Sequence, residues 1–137
     1  MVFSVDYLKR RNQFQGPLRE LFVQYEKLLL SLLVYISQEQ IGRQKMCTEN
    51  GLQTLLYLSQ SSNIVIREKA LGVLFSVVQQ FHNNTAVLTS NDNTKIILEN
   101  LIIKNDYINF CVLGIISSVA RSERHASFYA CGMALKI

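Results

Sequence analysis

The residues of this sequence best suited to acid–base, nucleophilic or metal chemistry are two histidines, His82 and His125, and three cysteines, Cys47, Cys111 and Cys131. Metal or general-base work by histidine needs partners at set spacing, such as a second His one helical turn away with a Glu between, and neither His82 nor His125 has them. No Cys-x-x-Cys pair exists, and an odd set of three cannot be fully bridged. That suits a reducing compartment better than secretion. Glycines at 16, 42, 51, 72, 114 and 132 never cluster into a phosphate-cradling loop. Asn83-Asn84-Thr85 matches a glycosylation sequon, but no apolar leader precedes it, so it reads as a helix-cap region. The residue types therefore support no catalytic site, no metal and no cofactor.

Charge points the same way. Fourteen Lys and Arg against ten Asp and Glu give a net charge of +4. The basic residues are scattered, and the one run, Lys9-Arg10-Arg11, is short, which argues against nucleic acid as the main partner. With 49% hydrophobic and 18% charged residues over 137 positions, the chain has the composition of one globular domain with a sizeable core. Its longest apolar run, 28 to 36, is about half a bilayer span, so no membrane segment is expected. The sequence reads as cytoplasmic or nuclear.

The elements that position these residues emerge when the chain is slid against itself. Residues 67 to 78 read REKALGVLFSVV, and 42 positions later residues 109 to 120 read NFCVLGIISSVA, aligning Leu71 with Leu113, Gly72 with Gly114 and Ser76 with Ser118. Shifting the same distance backward gives YEKLLLSLLVYI at 25 to 36. The register extends to Asn63 with Asn105, Ile66 with Ile108, and Leu55-Leu56 with Ile97-Leu98, which marks a structural repeat. Ile66, Ala70, Val73, Leu74, Val77, Val78 and Phe81 fall at helical spacing, as do Ile108, Val112, Ile115, Ile116, Val119 and Ala120. Asn63 and Asn105 precede these stripes as N-caps, and Gly16-Pro17 opens an earlier helix. Long helices are predicted from near 17, 64 and 106. Between them the pattern predicts shorter pieces at 41 to 49 and 51 to 60, split at Asn50-Gly51, and at 84 to 90 and 94 to 104, split at Asn91-Asp92-Asn93. No strands are predicted.

This pattern resembles the armadillo repeat. Residues 43 to 81, RQKMCTENGLQTLLYLSQSSNIVIREKALGVLFSVVQQF, look like one full unit: Thr48-Glu49-Asn50-Gly51-Leu52 stands at the family's acidic-small-glycine turn, Leu55-Leu56 at its paired leucines, and Glu68 to Val78 at its third helix. The resemblance implies an all-α, armadillo-like α-solenoid, a right-handed superhelix of three-helix repeats with a period of about 42 residues. Residues 1–16 then form an N-terminal tail and 17–137 the repeat domain, divided into a partial unit 17–41, full units 42–82 and 83–122, and a partial unit 123–137. The last of these is short of its second and third helices, so the sequence reads as a fragment or short isoform of a longer solenoid.

The family's peptide-binding members carry an asparagine ladder and tryptophans on their third helices. Here those positions fall on Val34, Ser76 and Ser118, and on Leu30, Gly72 and Gly114, so that binding mode is missing. The function the resemblance implies is a non-catalytic scaffold that binds a protein partner, a helix or an extended peptide, along the stacked third helices. By position on the repeat, its contact residues are Ser76, Gln79, Gln80, Ser118 and Arg121. The alternatives are a self-associating structural subunit of a larger assembly, and a weak nucleic-acid or acidic-surface binder acting through Lys9, Arg10, Arg11 and Arg19. Gly72 and Gly114, at equivalent mid-helix places, imply close approach of a neighbouring helix. Phe14, Phe22, Tyr25 and Tyr35 read as core or packing surface.

Overall fold

The computed structural model describes residues 16–81 and 85–121. Among them the chain is all-helical and contains no strand. Six α-helices follow one another: α1 Pro17–Ile36, α2 Gln40–Met46, α3 Glu49–Leu58, α4 Ile64–Gln80, α5 Asn91–Glu99 and α6 Asp106–Ala120. Short 3-10 helices, Thr85–Thr89 and Asn100–Ile103, flank α5. The basic run Lys9-Arg10-Arg11, Phe14, both histidines, Cys131 and the partial unit 123–137 lie outside the described residues, as does nearly all of the tail 1–16.

The three long helices start where their caps put them. Gly16, at φ 69°, supplies the left-handed turn that feeds Pro17 into the first helical position. The Asn63 side-chain oxygen accepts from the amides of Val65 and Ile66 at 3.0 and 3.3 Å. That of Asn105 accepts from Ile108 at 2.9 Å.

The short helices begin earlier than expected. Thr48 and Ser90, themselves 42 positions apart, are the N-caps, accepting from the amides of Gly51 at 3.0 Å and Asn93 at 3.3 Å. Asn50-Gly51 and Asn91-Asp92-Asn93 are therefore first turns of α3 and α5 and not breaks before them. A hydroxyl that satisfies a free amide is the stronger start signal, and it outcompetes the turn preference of Asn and Gly. The end of α5 tightens into the 3-10 turn Asn100–Ile103, which Lys104 closes at φ 59°.

Packing follows chain order: α1 lies against α4, α4 against α6, and α2 and α3 close over α4. Ile66, Ala70, Val73, Leu74, Val77 and Val78 of α4 are buried, together with Leu52, Leu55, Leu56 and Leu58 of α3 and Ile108, Val112, Ile115 and Val119 of α6. Phe81 and Ala120, the last residues of the predicted stripes, are only half-buried because the helices end there. Polar bridges join successive segments. Gln53 and Asn93 exchange side-chain amide bonds between α3 and α5, with Asn93 Nδ2 donating at 3.1 Å. The Arg67 guanidinium ties the Ser61 carbonyl to the buried Asn100 amide oxygen, both at 3.0 Å. Among the described residues no helix is long and apolar enough to cross a membrane.

Candidate functional site

Three of the five candidate residues converge. Ser76, Gln79 and Gln80, at the end of α4, line a cleft of about 300 Å³ with Ser37, Gln38 and Arg43 from the end of α1 and the start of α2. Arg43 organises it. Its Nη1 donates to the carbonyl of Ser37 at 2.7 Å and its Nε to Gln80 Oε1 at 2.8 Å, so one rigid guanidinium fork joins three elements. The Ser76 hydroxyl is spent on its own helix, donating to the Gly72 carbonyl at 3.0 Å. The cleft presents amides and one guanidinium, groups suited to a peptide backbone or a carboxylate.

The other two candidates separate from it. Arg121 is exposed at the end of α6, outside the cleft. Ser118 corrects the sequence reading: it is buried, among the core residues Ile115 and Val119 of α6. Its place in the repeat register predicts a groove position, whereas the packing of α6 on α4 turns it inward.

The sequence reading missed an aromatic patch on α4 and α6. The rings of Phe75 and Phe110 meet edge to face, centroids 5.5 Å apart and planes at 87°. Tyr107 stands one turn earlier on α6. Both mid-helix glycines make room for these rings. A Cβ at Gly72 would collide with the Tyr107 hydroxyl, and one at Gly114 would lie 2.6 Å from Cζ of Phe75. The expectation of close approach thus holds, with a side chain from the neighbouring helix as the approaching group. Phe110 remains 63% exposed, and Tyr107 and Leu113 are about half exposed, so a continuous apolar strip runs along α6. The residues contributing to it occupy non-equivalent repeat positions, so sliding the sequence on itself does not bring them together.

Beneath this patch lies a small polar cluster. Asn105 Nδ2 donates to Glu68 Oε1 at 3.1 Å. Burial raises the Cys111 thiol above its ordinary value of 9.0, with Glu68 adding to the shift and a hydrogen bond from Tyr107 opposing it. Burial and the neighbouring Cys111 likewise raise Tyr107 above 10.0. A low-pKa thiolate nucleophile therefore does not form here. Both groups are held neutral in the fold and ionise more readily once unfolded. Their stabilisation is complete below about pH 9 and fades as pH rises through the raised values. The urea midpoint should accordingly fall between about pH 8 and about pH 11, and the Tyr107→Phe/Cys111→Ala chain, which lacks both groups, should lose less over that interval. An equal loss would assign the alkaline instability to other groups.

Cys47 is also buried, its Sγ 3.8 Å from the Phe81 carbonyl. Among the described residues no three metal-ligating side chains converge. No family model matches the chain, and no curated protein or solved structure matches it.

Proposed function

We propose that the chain is a non-catalytic scaffold built from armadillo-like three-helix units, working in the cytoplasm or nucleus, that binds a protein partner along its long helices. The repeat reading rests on caps recurring at one offset, Thr48 with Ser90 and Asn63 with Asn105, and on the serial packing of α1, α4 and α6. Each unit of such an array buries its apolar face on its neighbours and leaves one side free for partners. The observation that carries the binding reading is the strip Tyr107, Phe110 and Leu113. Two of its members are aromatic, a residue class enriched at interface centres, and they are held firm by Phe75 and the two glycines. Phe75 is adjacent in sequence to Ser76 of the Arg43 cleft, so a partner helix or extended segment on the strip can place polar groups in the cleft.

Affinity capture with three chains tests this: unaltered, Phe110→Glu, and Lys95→Glu as a control on the exposed side of α5. Partners held by the unaltered and Lys95→Glu chains should be lost from Phe110→Glu by a factor of about 30, the loss typical of a central aromatic anchor. Helix content should be unchanged and melting should fall only by the roughly 1 kcal/mol of the lost Phe75 contact, because Phe110 is otherwise mostly exposed. Capture indifferent to Phe110 would remove the strip from the binding surface.

A further inference from the structure

Helix α1 carries a second apolar stripe that the core does not use. Its buried face is Glu26, Leu30 and Leu33. On another face Leu18, Leu21, Tyr25, Leu28, Leu32 and Tyr35 follow one another at spacings of three and four, two and a half heptads with apolar residues at every a and d position. Leu28 is 73% exposed and Tyr35 69%. The positions flanking this seam on the helix surface, among them Phe22, Gln24, Leu29 and Ser31, carry no charge. A solvated helix face is normally charged, so the stripe has the chemistry of a contact.

The 42-residue register shows what shape of contact. Leu28, Leu32 and Ile36 of α1 correspond to Ala70, Leu74 and Val78 of α4, which are buried in the core that α3 closes. The same face of α1 is therefore built to receive a helix. The positions 42 residues before Leu52, Leu55 and Leu58 of α3 are Arg10, Gln13 and Gly16, so the sequence ahead of α1 does not repeat that apolar helix.

We propose that the occupant is α1 of a second copy, the two seams interlocking in a symmetric dimer. A heptad seam is self-complementary, and a two-fold axis lets one stripe serve both partners. The exposed part of the seam amounts to about 700 Å² per copy, taking roughly 200 Å² for a fully exposed Leu or Tyr. That is close to the ~800 Å² per partner of a standard stable interface. This interface lies on α1 and stands independently of the strip on α6.

Light scattering on the full chain, from about 5 to about 100 µM, tests the proposal in the range where interfaces of this size associate. Twice the 15.7 kDa chain mass is expected, with melting that rises with concentration. The Leu28→Glu/Leu32→Glu chain should run at the single-chain mass with unchanged helix content. A single-chain mass throughout for the unaltered protein, or a dimer that survives the double substitution, overturns it. Should that variant not fold, a photo-crosslinker at Tyr35 in a mixture of isotope-labelled and unlabelled chains decides. Mixed-isotope products joining α1 to α1 are expected. Products joining Tyr35 to residues 1–15 or 122–137 of the same copy overturn it.

Discussion

Leu74→Ala should cost the fold about 3 kcal/mol, a large part of the 5–15 kcal/mol that holds a domain of this size together. Leu74 is fully buried on α4, which among the described residues is the long helix packed on both sides, by α1 and by α6. Truncation removes three carbons from the core and leaves a cavity that the surrounding core side chains, fixed by their own helices, cannot fill. The informative control is Leu32→Ala, 42 residues earlier at the matching place of α1 and 53% exposed. Measured dilute by urea denaturation, it should cost less than about 1 kcal/mol. Two leucines equivalent in sequence would then differ severalfold in energy, because one is enclosed by neighbouring helices and the other is half exposed. Comparable losses would mean that the outer face of α1 is covered in the isolated chain.

That contrast also marks how far the sequence could be read. The long helices were legible because their signals are local: Asn63 and Asn105 offer side-chain acceptors, Pro17 fixes a backbone angle, and the core stripe of α4 repeats at helical spacing. Short-helix boundaries were less so, since Thr48 and Ser90 are ordinary residues until an amide three positions on comes within reach. Of the candidate site, Ser76, Gln79 and Gln80 do share a cleft. What the sequence did not show is that Arg43, 37 positions from Gln80, would be the group that holds it together. Ser118 went wrong because helix rotation is a tertiary property: Ser76, its counterpart, is half-buried, whereas Ser118 turns fully inward. The aromatic strip was invisible for a related reason. Phe75, Tyr107 and Phe110 become neighbours only when α6 settles over the glycines of α4 and its own sequence.

Gly51→Ala should cost about 2–3 kcal/mol, although alanine is the better helix former by up to about 1 kcal/mol. Only Cys47 and Thr48 separate α2 from α3, so the last carbonyl of α2 rests on the first turn of α3. A Cβ at Gly51 would overlap the Met46 carbonyl oxygen and reach Thr48 Oγ1 at 3.0 Å. Backbone cannot swing aside as a side chain can. The two helices must part, which also weakens the Thr48 cap and the seating of Leu52 and Leu55. The counterpart of Gly51 in the next unit is Asn93, which does carry a side chain. There the 3-10 turn Thr85–Thr89 replaces α2, and Asn93 Nδ2 donates to the Val87 carbonyl at 2.7 Å as well as to Gln53. Each unit has thus matched its turn residue to the element before it, and exchanging the two should fail in both directions. Gly51→Asn should destabilise at least as much as Gly51→Ala. Asn93→Gly should lose about 1–3 kcal/mol through a carbonyl and an amide left unpaired. Urea denaturation of the two single exchanges measures this, and a neutral Gly51→Asn would mean that α2 can yield where the packing says it cannot.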